Sequence, residues 1–266
     1  MQRRGFISAL AAVAGVAAVA DASAACSAPP RTGPPSTGPL PKVKNAVLVH
    51  GAYADGSSWA DVIPYLQARG MNVASVQNPL RTLEEDVQFA QRTLALMDGP
   101  TVLVGHSYSG MIVTQAGVDP KVTALVYIAA RAPDAGEDYT ALAKTFPKPP
   151  ASAGLITAPD GYSQLSEDAF LHDFAQDVDP VRAKMLYAVQ GRISGELFSG
   201  KVTQAAWHNK PSFYAVSKND RTINPDLERF MAKRMNATTI ELDASHLSLI
   251  SKPKEVADLI LQAAGA

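Results

Sequence analysis

Ser107 stands in the run Gly105-His106-Ser107-Tyr108-Ser109-Gly110, behind the apolar stretch Thr101-Val102-Leu103-Val104 and ahead of Met111-Ile112-Val113-Thr114-Gln115-Ala116. A serine between small residues, with strand character before it and helix character after it, marks a sharp strand-to-helix turn that holds a nucleophile in strained backbone geometry. Its neighbours two positions away must be small for strand and helix to approach each other. Gly105 and Ser109 meet that demand, with Ser109 standing where glycine is commoner. A hydroxyl at the apex points out of the sheet, and the backbone amide of Tyr108 opens the helix and faces negative charge developing on an acyl oxygen. The chemistry these residues offer is nucleophilic attack by a serine.

A serine hydroxyl is a weak nucleophile at neutral pH and needs a base within hydrogen-bond reach, itself oriented by a third group. Five histidines compete for that place. His50 and His106 adjoin the site loops, and His172 and His208 lie in or near a less regular middle segment. His246 lies in Asp243-Ala244-Ser245-His246-Leu247, just past the last strand-like run. Behind a turn of this kind the chain order is nucleophile, acid, base, with the base in the loop after the final strand, which selects His246. The acid is expected on the loop after the preceding strand, where Phe213-Tyr214-Ala215-Val216-Ser217 leads into Lys218-Asn219-Asp220, and Asp220 is the choice. Two other readings stand beside it: Asp220 as a cap for the helix beginning near Pro225, and Asp243 as the acid. The second amide donor for an oxyanion is expected after the first core strand, in His50-Gly51-Ala52-Tyr53, at Ala52 beside Tyr108. His50 is expected to bond loop backbone.

The elements that must hold these residues follow from periodicity and punctuation. Ala46–Val49, Val73–Val76, Thr101–Val104, Val122–Ile128, Ser212–Val216 and Thr238–Leu242 read as strands. Between them, Ser57–Arg69 reads as a helix ended by Gly70. Thr82–Met97 reads as a helix with a capping box, Thr82 followed three residues later by Glu85. Asp226–Met235 and Pro253–Ala264 read as the closing helices. Strands alternating with helices imply an α/β fold with a mostly parallel central sheet flanked by helices. The alternation fails between Ala132 and Lys210, where prolines and helical patterns around Glu167–Phe174 and Pro180–Gln190 predict a helical insertion over about residues 132–210. Placed between nucleophile and acid, that insertion is expected to form a lid that excludes water and shapes the pocket. Tyr53, Trp59, Leu80 and Tyr108 are candidate pocket walls, and Phe170 and Leu186 are apolar candidates on the insertion.

The 266 residues, 47% of them hydrophobic, suffice for one catalytic domain over residues 42–266. A formal charge of -1 and the lack of a Lys/Arg block exclude a basic surface for nucleic acid or an anionic membrane. Residues 1–25 read as an export signal: Arg3-Arg4 precedes the Ala/Val-rich stretch Phe6–Ala20, and Ala22-Ser23-Ala24 offers a cleavage pattern. Arg3-Arg4-Gly5-Phe6-Ile7 resembles a twin-arginine signal, with the general secretory route as the alternative and a periplasmic or secreted protein as the outcome. The apolar run is too short to span a membrane. Residues 26–41 form a Pro/Gly-rich linker. The single cysteine, Cys26, excludes an intramolecular disulfide and a cysteine-based metal site. Cleavage directly before it would allow a lipid anchor, against which the lack of a large aliphatic residue upstream speaks.

Val47-Leu48-Val49-His50-Gly51-Ala52, the Ser57-Ser58-Trp59 helix start, Gly105–Gly110, Asn219-Asp220-Arg221-Thr222 and Ser245-His246 together resemble the α/β-hydrolase superfamily. Within it the chain is similar to the small esterases that include plant methyl-ester esterases and hydroxynitrile lyases, and to their bacterial relatives. The resemblance covers most of Lys42–Ala266. It implies a hydrolase without cofactor or metal, a Ser107-Asp220-His246 triad and a helical cap. Hydroxynitrile lyases of this group carry threonine where this chain has Gly51 and lysine where it has Leu247, so the resemblance favours ester hydrolysis. Dehalogenases and epoxide hydrolases of the superfamily use an aspartate nucleophile, which Ser107 excludes. The expected substrate is a small, largely apolar carboxylic ester. The alternatives are amide, lactone or carbon–carbon hydrolysis on the same triad, or a ligand-binding protein that retains the fold.

Overall fold

A computed structural model describes residues 38–266, so the expected export signal, Cys26 and most of the expected linker lie outside the described residues. The chain runs β1 (Asn45–Val49), α1 (Ile63–Ala68), β2 (Asn72–Val76), α2 (Leu83–Ala95), β3 (Thr101–His106), α3 (Gly110–Ala116) and β4 (Val122–Ile128). After a long excursion it resumes with β8 (Ser212–Ser217), α7 (Pro225–Arg234), β9 (Thr238–Leu242), α8 (Ser248–Ser251) and α9 (Pro253–Ala263). Six of these strands form one sheet in the order β2-β1-β3-β4-β8-β9, every neighbour parallel.

Burial explains which strands were easiest to read. β1 and β3 are buried along their whole length, and β4 except at Thr123, so each is a continuous apolar run. The edge strands β2 and β9 are partly exposed and correspondingly mixed, as Thr238-Thr239-Ile240-Glu241-Leu242 shows. The strand order reverses between β1 and β3, which opens a crevice at their carboxyl ends, the usual ligand position in such sheets. Val49 pairs with Gly105 across that gap, so His50 and Gly51 come to lie beside His106 and Ser107.

Local chemistry sets the helix boundaries. Thr82 accepts a hydrogen bond from the Glu85 amide at 3.2 Å, while the Glu85 carboxylate turns to Arg81 at 3.3 Å, so only half of the expected capping box forms. The single helix expected over Ser57–Arg69 is two pieces. The Asp55 carboxylate accepts from the Ser57 amide and fixes a 3-10 turn over Gly56–Trp59, and Pro64, which lacks an N–H, fits only the first turn of a new helix. Gly70, at φ +76°, ends α1 with the Met71 amide reaching back to the Leu66 carbonyl at 3.1 Å.

The excursion between β4 and β8 holds α4 (Tyr139–Ala143), α5 (Glu167–Ala169), a π-helical turn over Phe170–Phe174 and α6 (Pro180–Ala188). It also holds a three-stranded antiparallel sheet of β5 (Leu155–Thr157), β6 (Tyr162–Leu165) and β7 (Ile193–Ser194), which corrects the expectation of a purely helical insertion. Strands of two to four residues are shorter than the window in which alternation registers, and β5 is exposed throughout, so no apolar run announces it.

Candidate active site

Ser107 is a non-glycine residue at φ +56°, in the left-handed region, at the junction of β3 and the 3-10 turn Ser107–Ser109. The strain is held by close packing on three sides. A Cβ on Gly105 would lie 2.6 Å from the Val113 side chain, one on Gly110 would lie 2.0 Å from the Arg131 carbonyl oxygen, and one on Gly51 would lie 2.8 Å from the Ser107 Cβ. Glycine at 51 is therefore what lets the loop after β1 touch the turn. Gly51→Ala is expected to cost about 1–3 kcal/mol of stability by overpacking and to lower turnover by displacing Ser107. Thermal melts and kinetics check this, and wild-type values for both would show that the contact is not what keeps the position small.

Ser107 and His246 meet across the sheet end, with the Ser107 hydroxyl 2.7 Å from His246 Nε2. His246 Nδ1 lies 2.5 Å from Asp220 Oδ2. A carboxylate only accepts, so Nδ1 carries the ring proton and Nε2 is the acceptor for the serine hydroxyl. The other Asp220 oxygen accepts from the Thr222 and Ile223 amides at 2.6 and 2.9 Å, which fixes the carboxyl plane. The helix-cap role weighed for Asp220 belongs to Asn224, whose side chain accepts from the Asp226 amide. The rival Asp243 is exposed and accepts from the Asn219 side chain at 2.8 Å, with Lys218 at 4.0 Å.

The remaining histidines of the site are structural. His50 Nδ1 donates to the Gly51 carbonyl and Nε2 accepts from the Asn78 amide, each at 2.9 Å, so it bonds loop backbone as expected. Burial holds its pKa below the usual value. The Asn78 side chain and the Ser109 hydroxyl both donate to the His50 carbonyl. Ser109 thus does what glycine in its place cannot: it ties the turn to the loop that carries Ala52. His106 donates from Nε2 to the His246 carbonyl at 2.9 Å, and burial together with the neighbouring His246 keeps it neutral. The Ser245 amide donates to Asp177 at 2.8 Å, so the His246 loop is held from both sides. His172 and His208 lie apart, paired with Asp168 and Asp134.

Ala52 and Ser107 line one cavity of about 310 Å³. Tyr108 follows Ser107 in the 3-10 turn, where the first amides have no acceptor within their own turn. The insertion supplies much of the cavity wall, including Tyr139, Leu155, Leu165 and Phe198. Of the four candidate walls only Tyr53 faces the cavity, because Trp59, Leu80 and Tyr108 are spent in the core. Phe170 and Leu186 line a smaller neighbouring cleft beside Tyr53.

Glu228 escaped the sequence reading. It is fully buried on α7, accepts from the Ser217 amide at 3.1 Å, and its carboxyl hydrogen-bonds with that of Asp220. Burial pushes the Glu228 pKa well above the usual carboxylate range, and the Asp220 charge pushes the same way. Its signal was a glutamate on the apolar stripe of a helix, one turn before the buried Met231 and Ala232. Among the described residues, no cluster of side chains suits a metal ion and no helix is long and apolar enough to cross a membrane.

Comparisons with known proteins agree with this architecture. The chain is 26% identical to Salicylic acid-binding protein 2 of Nicotiana tabacum, over 83% of this chain and 97% of that protein. It is 26% identical to Methylesterase 8 of Arabidopsis thaliana, over 81% of this chain and 87% of that protein. Among solved structures it resembles a pyrethroid hydrolase from Sphingobium faniae JZ-2, with a TM-score of 0.71 at 22% identity, covering 84% of this chain and 98% of that one. Residues 46–259 match the Alpha/beta hydrolase family, and the chain belongs to that family.

Proposed function

We propose that this protein is a serine hydrolase that cleaves small, largely apolar carboxylic esters through an acyl-enzyme. The observation that carries the reading is the unbroken line Ser107 Oγ, His246 Nε2, His246 Nδ1 and Asp220 Oδ2, with steps of 2.7 and 2.5 Å at its two hydrogen bonds. In this reading Ser107 attacks the ester carbonyl and His246 takes its proton. The amides of Ala52 and Tyr108 hold the oxyanion, and His246 returns the proton to the leaving alcohol. Water activated by His246 then attacks the acyl-enzyme, which releases the acid and restores Ser107. Asp220 holds the imidazole in the one tautomer that serves both halves. The relatives named as a methylesterase and a pyrethroid hydrolase support ester chemistry. The mostly apolar walls contributed by Tyr139, Leu155, Leu165 and Phe198 support a small apolar substrate. For the cellular site we propose export, on the strength of the Arg3-Arg4 pair and the apolar stretch behind it.

The test is a rapid-mix assay with chromogenic esters from acetate to decanoate. The expected result is multiple turnover on the short members, with a burst of alcohol stoichiometric with enzyme where deacylation is the slower step. A protein that binds such esters without releasing alcohol would be a receptor on this fold and not an enzyme.

A further inference from the structure

Among the described residues, the cavity beside Ser107 is lined by one formally charged side chain, and it is a cation. Arg131 follows β4, and its amide donates to the Ser107 carbonyl at 2.9 Å, so its backbone is fastened to the predicted nucleophile. Its guanidinium is clamped between two rings of the insertion, with its carbon 4.0 Å from the centroid of Phe198 and 4.7 Å from that of Tyr139. The two rings hold the guanidinium by cation–π contact, which uses none of its N–H groups. Nε is buried without an acceptor, and among the described residues the guanidinium forms no ion pair.

Four other arginines provide a contrast, while Arg92 and Arg192, which also form no ion pair among the described residues, are exposed to solvent. Arg182, Arg221, Arg229 and Arg234 each meet a carboxylate within 2.5–2.8 Å. The nearby phenols do not balance Arg131 either, since burial pushes Tyr53 and Tyr139 up to about 12 and they stay neutral. Asp220 is engaged with His246, and neither it nor Glu228 lines the cavity. A rigid planar fork of donors, fixed by stacking and facing a cavity with no counter-charge, is a site for a planar oxyanion.

We propose that Arg131 recognises a carboxylate on the substrate, so that the preferred esters are half-esters: carboxylic esters that carry a second, ionised carboxyl group. The proposal rests on the reading of the protein as an ester hydrolase, which it narrows. It also assigns a purpose to the clamp, because Phe198 and Tyr139 both come from the insertion and hold the fork ready before substrate arrives.

The test compares monomethyl glutarate with dimethyl glutarate, following acid release in a pH-stat for the wild type, Arg131→Met and Arg131→Lys. The wild type is expected to favour the half-ester at least tenfold in kcat/KM, a preference that weakens with salt. The ratio of half-ester to diester should fall on the order of 10- to 100-fold in Arg131→Met and less in Arg131→Lys, which keeps the charge but not the fork. A wild type that favours the diester, or an unchanged ratio in Arg131→Met, would overturn the proposal. If Arg131→Met does not fold, the wild-type ratio and its change in Arg131→Lys decide. If neither ester is hydrolysed, turnover of the short chromogenic esters decides the ester reading, and the arginine is judged separately by titrating glutarate into the wild type and Arg131→Lys. Weaker binding by the variant would support the anion site, and equal binding or none by the wild type would overturn it.

Discussion

Ser107→Ala is expected to reduce ester turnover on the order of 10⁵-fold or more while leaving a protein that folds and melts much like the wild type. The two halves of that expectation have separate causes. Loss of turnover follows from removing the oxygen that His246 Nε2 faces at 2.7 Å. Retained stability follows because alanine removes one hydroxyl and little packing. Backbone strain gives a second reading of the same position. At φ +56° any L side chain is held at a cost that glycine avoids, so Ser107→Gly should be more stable than Ser107→Ala by about 1 kcal/mol and equally inactive. Such a site would have geometry maintained against stability, which is the pattern expected where backbone strain serves chemistry. Labelling with a fluorophosphonate and mapping the modified peptide supplies the direct measurement. An adduct on any other serine, or unchanged turnover in Ser107→Ala, would remove Ser107 from the role.

The parts of the site that were legible are those whose residue types are forced by geometry. Gly51, Gly105 and Gly110 are small because a Cβ at each would lie within 3 Å of a neighbouring atom, and a requirement of that kind leaves a mark in the sequence. The central strands were legible because burial on both faces leaves no polar positions to blur the run. Arg131 and Glu228 were not legible, for a shared reason. Each is a charged residue whose surroundings are set by how loops and helices fold back on one another and not by a spacing pattern: Phe198 and Tyr139 for the first, Asp220 and the Ser217 amide for the second. The small sheet of the insertion was missed because its pairing is a tertiary fact, with two-residue β7 placed against β6 from thirty positions away. Ser109 illustrates the intermediate case. Its size was readable from the motif, but its bond to the His50 carbonyl was not.

Asp220→Asn and His246→Ala are each expected to lower turnover on the order of 10⁴-fold, and Asp243→Asn by less than about twofold. The spacing of residues allowed either aspartate, and the two differ in what their carboxyl groups touch. Asp220 is buried with one oxygen on His246 and the other on two backbone amides, whereas Asp243 is exposed and bonded to Asn219. Asparagine is the informative replacement at 220. Its carbonyl oxygen still accepts from the Thr222 and Ile223 amides, so the loop keeps its shape, but its NH₂ then faces His246 Nδ1. A donor there forces the proton onto Nε2, and an Nε2–H cannot accept the serine proton, so the variant should be folded and inactive for an electronic reason. Alanine would confound that reading by stranding both amides and emptying the space beside Glu228. Melting curves establish that Asp220→Asn is folded, and kcat/KM for a short ester supplies the answer. A crippled Asp243→Asn beside an active Asp220→Asn would transfer the acid to the exposed residue and require the His246 loop to rearrange during turnover.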